Sequence, residues 1–188
     1  MAQSTLVIAE SGSGKSTSGR TLDSKETFWI NIANKPLPFK GWRKDYTLIS
    51  KDNPKGNMTN ASSAAGIIKA IQHVNDKMPH ITNLVVDDWQ YMSAFEYFDK
   101  ANEKGYDKFT SIASNLAQVA KMPKDLRDDL YIVLFGKVIK DDDGILKYGF
   151  ETQNDGNNTC KSPMGMFEES FIENDLQHVK DCIIKYEQ

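Results

Sequence analysis

The chain has few of the residues that build metal centres and disulfide frameworks. Its 188 residues include two cysteines and three histidines. Cys160 and Cys182 lack the short spacing of a zinc motif, and no two histidines have the spacing of paired metal ligands. We therefore expect reduced thiols in a reducing compartment and no metal site built from histidine or cysteine.

Long apolar runs and a positive net charge are also missing from the sequence. No stretch approaches the roughly 20 apolar residues of a membrane span, and the first run, residues 6–9, is too short for the core of a signal peptide. We therefore expect a soluble cytoplasmic protein without membrane association. The formal charge of −3 excludes the global basic field of many constitutive DNA-binding proteins. Any nucleic-acid contact must be local, or must arise through assembly or nucleotide binding.

A glycine- and serine-rich segment follows the first apolar run and carries the clearest functional pattern. Residues 9–16 fit the phosphate-loop pattern G-x-x-x-x-G-K-[ST], with Ala9 in the first position. Glycines let backbone N–H groups approach phosphate oxygens, and the start of the next helix adds a positive dipole end. Lys15 would reach the outer phosphates and Ser16 would hold Mg²⁺. The predicted nucleotide-binding residues are Glu10, Ser11, Gly12, Ser13, Gly14, Lys15, Ser16 and Thr17.

A second apolar run, residues 84–86, ends in Asp87 and Asp88. A buried strand that delivers a carboxylate beside a phosphate loop can hold Mg²⁺, usually through water, so Asp87 is the predicted metal-side carboxylate. Asp88 would then polarise the attacking water, with Gln90 as an alternative water-orienting group. A strand that ends in an N-cap aspartate has the same pattern, but a phosphate loop in the same chain favours the functional interpretation. The predicted catalytic residues are Lys15, Asp88 and Gln90, and the predicted metal residues are Ser16 and Asp87.

Hydrophobic periodicity predicts one α/β domain over residues 1–188, with a mostly parallel sheet flanked by helices. Strands are expected at residues 5–9, 27–32, 84–86 and 130–135, and helices at residues 16–22, 63–77, 89–104 and 107–121. Residues 130–135 are apolar throughout, as in a strand buried on both faces, so this strand should join those that end at Ala9 and Val86. Residues 52–61 indicate a turn-rich link. A C-terminal hairpin turning at residues 141–144 and a last helix at residues 174–186 complete the predicted domain.

Residues 35–46 mix cations with aromatic side chains, and their two closely spaced prolines argue against regular secondary structure. Such a segment can bind single-stranded nucleic acid by stacking bases and holding phosphates. The predicted nucleic-acid residues are Lys40, Trp42, Arg43 and Lys44. The competing interpretation is a loop that packs its aromatic rings on the core and leaves its lysines in water, and composition alone favours it.

Together these motifs resemble those of phage-encoded AAA-type or RecA-like P-loop ATP-binding proteins, the group that includes phage RecA-like single-strand annealing proteins. The resemblance covers most of the chain and rests on residues 10–16, 35–42, 86–91, 104–109, 161–167 and 174–176. It implies a RecA-like core that binds ATP and Mg²⁺ and hydrolyses ATP slowly to ADP and phosphate. It also implies a homo-oligomer that acts on single-stranded DNA in recombination, annealing or replication in the host cytoplasm. A single-strand-binding protein or other phage replication proteins would be further partners.

The chain departs from that family after residue 135. Similar proteins follow the core strand with a polar residue, often histidine, and a linker, whereas here the strand runs almost directly into the turn at Asp141. This indicates a missing segment, and Lys137 is only a weak stand-in for the polar sensor residue. The alternative function is therefore a nucleotide-gated interaction protein that has little turnover and acts on a protein partner. Any arginine finger supplied in trans would have to come from a lysine or from one of the chain's arginines, Arg20, Arg43 and Arg127.

Overall fold

Five parallel strands form the central sheet of the protein. The computed structural model describes residues 1–137 and, beyond them, the backbone of residues 139–140 and 146–147. The strands of the sheet are β1 (Gln3–Ala9), β2 (Thr27–Asn31), β3 (Met58–Thr59), β4 (Asn83–Asp87) and β5 (Tyr131–Lys137). Their spatial order is β1-β5-β4-β2-β3.

Helices flank this sheet, so the predicted α/β class is confirmed, and the architecture is compatible with a Rossmann-like or P-loop fold. The helices are α1 (Lys15–Ser18), α2 (Trp42–Asp45), α3 (Ala64–Lys77), α4 (Tyr91–Asp99) and α5 (Asp107–Lys121). One-turn 3₁₀ helices follow α1 at Gly19–Thr21 and α5 at Met122–Asp125. Every helix in the described residues is too short or too polar to span a bilayer.

Strand β5 lies between β1 and β4, as its continuous apolar sequence predicts. Its residues pair in parallel with the whole of β1 on one side and with residues 83–86 of β4 on the other. Ile132, Leu134 and Phe135 are buried between the flanking layers. Because all five strands are parallel, their carboxyl ends meet at one edge of the sheet, where α/β proteins bind their ligands.

The amphipathic helices α3 and α5 follow the expected pattern. Helix α3 begins after Ser63, whose hydroxyl accepts a hydrogen bond from the Gly66 N–H at 3.2 Å, and it buries Ile67, Ile71 and Val74. This is an N-cap, which satisfies one of the donors left open at a helix start. Helix α5 buries Ile112, Leu116 and Val119 and has the predicted bounds.

The loop of residues 35–46 packs its aromatic rings on the core, as the competing interpretation of this segment held. Trp29 of β2 is fully buried, and the ring centroids of Tyr46, Phe135 and Phe39 lie 5.6, 6.2 and 6.3 Å from its own. Edge-to-face and tilted contacts of this kind add to the energy of burial. The expectation of no regular structure in this segment was wrong at its end, where the single turn α2 forms.

Three other local predictions were wrong. The first helix has one α-helical turn before it tightens into the 3₁₀ turn Gly19–Thr21. Helix α4 ends at Asp99 rather than near residue 104, and the ammonium of its C-cap residue, Lys100, donates to Glu96 and to Ser111 of α5 at 2.6 and 2.7 Å. The short strand β3 lies within the link that the sequence indicated as turns, since it pairs with β2 at the sheet edge.

Backbone contacts divide the chain into Met1–Lys137 and Val138–Gln188. In the second part, β6 (Ile139–Lys140) and β7 (Leu146–Lys147) pair as antiparallel strands, which confirms the strand pairing of the predicted hairpin. The predicted turn at residues 141–144, the predicted helix at residues 174–186, both cysteines and the motifs at residues 161–167 and 174–176 lie outside the described residues.

Even an alanine at position 19 should destabilise the protein. A Cβ at this buried position would overlap Cζ3 and Cη2 of the Trp29 ring, which the sheet and the aromatic cluster hold in place. We expect Gly19→Ala to lower the free energy of unfolding by about 1–3 kcal/mol in urea titrations, the usual cost of overpacking. In a double-mutant cycle, Trp29→Leu should remove most of that cost, because the ring is what the new methyl group meets. An equal cost in both backgrounds would contradict this explanation.

Candidate nucleotide-binding site

The predicted phosphate-binding loop forms the turn between β1 and α1. Gly12 and Gly14 have φ values of 80° and 94°, a left-handed conformation that glycine adopts without strain. No atom of the described residues lies within 4 Å of the positions that a Cβ would occupy on either glycine. The Ser18 N–H donates to the Gly14 carbonyl at 2.8 Å, which starts α1 directly after the loop. The loop therefore presents its backbone to open space at the carboxyl edge of the sheet.

The Lys15 ammonium spans this loop. Its Nζ donates to the carbonyl oxygens of Ala9 and Glu10 at 2.7 and 2.8 Å, and it lies 3.4 Å from the Ser13 hydroxyl. Burial lowers the pKa of Lys15, and the negative charges of Asp88 and Asp87 oppose this effect. Within the part of the chain that the structure describes, the hydrogen-bond partners of Lys15 thus all lie in the loop.

Ser16 and Asp87 are joined by a hydrogen bond, so the two predicted metal residues are brought together. The Ser16 hydroxyl donates to Asp87 Oδ1 at 2.7 Å. Asp87 is the last residue of β4 and is 1% exposed. Among the described residues, its other oxygen, Oδ2, has no hydrogen-bond partner. A hydroxyl beside a carboxylate with an open oxygen suits Mg²⁺, which takes one or two protein ligands and otherwise keeps water and phosphate oxygens.

Burial changes the charge behaviour of Asp87. It raises the pKa of Asp87 to about 6, while the hydrogen bond from Ser16 lowers this pKa and the neighbouring charge of Asp88 raises it. A bound cation would lower the cost of ionising such a buried carboxylate, because the cation favours the charged form. The electrostatics of Asp87 therefore agree with its predicted position beside Mg²⁺.

Asp88 occupies a sharp turn between β4 and α4. It has a φ of 58°, which is uncommon for a residue other than glycine. The backbone on either side is fixed, because the Trp89 N–H donates to the Phe135 carbonyl at 3.1 Å and the Tyr91 N–H donates to the Asp88 carbonyl at 2.9 Å. The carboxylate forms an ion pair with the Lys35 ammonium. Asp88 thus lies next to Asp87, with its side chain engaged by a cation.

Lys35 is a site residue that the sequence interpretation missed. It follows β2, whose last residue, Asn31, is in register with Asp87. Burial alone would lower the pKa of Lys35, but its hydrogen bond to Asp88 and the charge of that carboxylate outweigh burial and raise it. Lys35 lies four positions beyond the end of β2. Its place in the site could be predicted only with the knowledge that β2 pairs with β4.

Gln90, the alternative water-orienting group, stands at the N-cap of α4. Its Oε1 is buried and has no hydrogen-bond partner in the part of the chain that the structure describes. Gln90 follows Asp88 by two positions in the sequence. No hydrogen bond between described residues joins its side chain to Asp87 or Asp88.

The predicted nucleic-acid residues lie around α2. Trp42 packs one part of its ring against the aromatic cluster, and the Arg43 guanidinium lies 4.8 Å from the centre of that ring. Lys40, Arg43 and Lys44 are exposed. Lys40 also lines a cavity of about 300 Å³. The other residues around this cavity are Arg20, Leu22, Asp23, Ser24, Phe39, Asp45 and Tyr46.

Arg127 has a structural role that argues against its use as a finger in trans. Its guanidinium donates to the carbonyl oxygens of Val74, Asn75 and Met78 at the end of α3, at 3.0 to 3.3 Å. It also bonds to the Ile81 carbonyl and pairs with Asp129 at 2.9 Å. A cation at this point satisfies the open carbonyls of a helix end.

No family model matches this chain, and no curated protein matches it either.

Replacing Asp87 by asparagine should stabilise the protein in a pH-dependent way. The folded state binds the Asp87 proton more tightly than the unfolded chain does, so the ionised carboxylate costs stability above pH 6 and costs none below about pH 4. Asp87→Asn should therefore raise the free energy of unfolding at pH 8 by on the order of 1–3 kcal/mol, and the gain should disappear at pH 4. Urea titrations at both pH values measure the difference. Asp52→Asn, at an exposed carboxylate, is the matched control. A gain that persists undiminished at pH 4 would show that the buried charge is not its cause.

Proposed function

We propose that this protein is a P-loop nucleotide-binding protein that binds Mg²⁺-ATP and hydrolyses it slowly to ADP and phosphate. The observation that carries the proposal is the hydrogen bond between Ser16 and Asp87 beside a loop with two left-handed glycines. A phosphate-loop hydroxyl and a carboxylate at the end of a buried strand are the two protein groups that hold Mg²⁺ in such NTPases. The fold supports the proposal, because it brings both groups to the ligand-binding edge of the sheet.

Each residue of the site has a role in this function. The loop amides and the Lys15 ammonium would bind the phosphate oxygens, and Ser16 and Asp87 would hold Mg²⁺. The metal ion supplies positive charge that neutralises the transferring phosphate. Asp88, or Gln90 in its place, positions the attacking water. Catalysis by such a site is mainly positioning and electrostatic stabilisation, which agrees with slow turnover.

Within the class of P-loop ATPases, we propose a RecA-like ATPase that acts on single-stranded DNA in phage recombination, annealing or replication. The sequence resemblance supports it, and so do the exposed cations Lys40, Arg43 and Lys44 beside a partly exposed tryptophan. A homo-oligomer would bring such local patches from several subunits onto one strand. Phe98 and Tyr106, at 70% and 82% exposure, are the candidate subunit contacts, because large exposed apolar side chains favour protein interfaces.

A nucleotide-gated interaction protein is the second candidate function. The ion pair between Asp88 and Lys35 favours it, because the carboxylate that would orient water is held by a cation. Such a protein would bind ATP, change its contacts with a protein partner and release little phosphate. Phosphate release that single-stranded DNA stimulates would exclude this alternative, whereas nucleotide binding without turnover would favour it.

Lys15→Ala should remove most of the ATP affinity and leave the fold intact. Among the described residues, the Lys15 ammonium bonds only to atoms of its own loop, so few contacts that stabilise the fold depend on it. Loss of a charged hydrogen bond to phosphate should weaken binding by roughly 10- to 100-fold in calorimetric titrations with Mg²⁺-ATP. Lys51→Ala, at an exposed lysine, should bind like the parent protein. Equal affinity of the Lys15 variant and the parent would refute the proposed site.

ATP-loaded protein should bind single-stranded DNA with a steep dependence on salt. Removing two cations with the pair Arg43→Ala and Lys44→Ala should weaken binding and reduce the slope of log K against log salt by about 1.4, the value for two single-strand phosphates. Fluorescence anisotropy with a labelled oligonucleotide measures both effects. The charge-matched control, Lys69→Ala with Lys77→Ala, changes exposed lysines of α3 and should keep the parental slope. If no binding occurs at low salt with or without ATP, the DNA function is wrong.

A further inference from the structure

Lys35 lies in the loop after β2, outside the residues of the phosphate-loop pattern. Its backbone is fixed by Asn31, a buried residue at the end of β2. The Asn31 side-chain amide donates to the Lys35 carbonyl at 2.6 Å, and the Lys35 N–H donates to Asn31 Oδ1 at 3.3 Å. This pair of hydrogen bonds holds the first atoms of the Lys35 side chain at the edge where Asp87 lies.

The two members of the ion pair between Lys35 and Asp88 differ in mobility. The Asp88 side chain is 11% exposed and follows a constrained backbone turn, whereas the Lys35 side chain is 47% exposed and has a flexible four-carbon stem. Lys35 can therefore turn toward another anion, while Asp88 stays in place.

The charges of the site also call for a second cation. Lys15 and Lys35 face Asp87 and Asp88 in one electrostatic field, since Asp87, Asp88 and Lys35 all affect the pKa of Lys15. Without Lys35, only Lys15 and the exposed Lys137 among the described lysines of this field would face two carboxylates and, after binding, the negative charge of a Mg²⁺-triphosphate. Lys35 offsets this excess of negative charge beside Asp87 and Asp88. In the proposed function, the outermost phosphate of the nucleotide lies on this side of the site.

We propose that Lys35 is a second phosphate-binding lysine, which leaves Asp88 to bind the terminal phosphate of a nucleoside triphosphate and so makes the site prefer triphosphates to diphosphates. The inference rests on the proposed function, because it requires a nucleotide at the phosphate loop. When Lys35 moves, Asp88 loses its cation and gains a further acceptor site that can face the attacking water. Lys35 thus couples recognition of the terminal phosphate to release of the water-orienting carboxylate.

The test compares ATP and ADP affinities of the full chain by calorimetry with Mg²⁺. Lys35→Gln should lose roughly 10- to 100-fold of its ATP affinity and less than about threefold of its ADP affinity, because only the triphosphate reaches this lysine. Lys35→Arg keeps the charge and should keep most of the preference. Asp88→Asn should bind ATP several-fold more tightly than the parent, because Lys35 then has no competing carboxylate.

Two further outcomes separate this inference from the proposed function. If the parent protein binds neither nucleotide, the proposed function fails. If the parent prefers ATP and Lys35→Gln keeps the parental ratio of ATP to ADP affinity, only the role of Lys35 is refuted. Because Lys35→Gln leaves Asp88 buried without a cation, the double variant Lys35→Gln with Asp88→Asn serves as the folding control. It should fold, as judged by circular dichroism, and should still fail to discriminate ATP from ADP, whereas parental discrimination would overturn the inference.

Discussion

The hydrogen bond between Ser16 and Asp87 joins residues that are 71 positions apart, and the candidate site depends on the sheet that makes this contact possible. Ser16 follows β1 and Asp87 ends β4, with β5 between these strands. Because the strands are parallel, the loop after β1 and the carboxylate of β4 emerge at the same edge. An apolar β5 that pairs with both neighbours keeps that edge in register. The chemistry of the site is therefore a consequence of the burial of β5.

The same edge concentrates charge in a buried place, which costs stability. Asp87 is almost completely buried, and its raised pKa of about 6 expresses that cost. Ser16 offsets part of it through a hydrogen bond, and Lys35 offsets the charge of the adjacent Asp88. A protein selected only for stability would have apolar residues at these positions. The carboxylates and lysines at the sheet edge therefore support the proposal of a charged ligand.

The sequence predicts best what depends on local patterns. The glycine-containing turn after β1, helix α5 and the apolar strand β5 were predictable because each is specified by its own spacing of glycines or apolar residues. The short α1 was not predictable in this way; it ends in a 3₁₀ turn whose first residue, Gly19, lies against the distant Trp29 ring. The ion pair of Lys35 with Asp88 was also beyond reach, because it requires knowledge that β2 and β4 are neighbours. Long-range pairing, rather than weak local signals, explains most of what the sequence interpretation missed.

The choice between an ATPase and a nucleotide-gated interaction protein comes down to the partner of one side chain. In both functions the loop, Lys15, Ser16 and Asp87 bind the nucleotide in the same way. While Lys35 is paired with Asp88, it occupies an acceptor site of the carboxylate that the attacking water would otherwise use. If the terminal phosphate draws Lys35 away, binding itself prepares hydrolysis, and the protein is a slow ATPase. If Lys35 stays with Asp88, the nucleotide persists, and the bound state serves as the signal. The two proposed functions thus correspond to two alternative partners of Lys35, the terminal phosphate and Asp88.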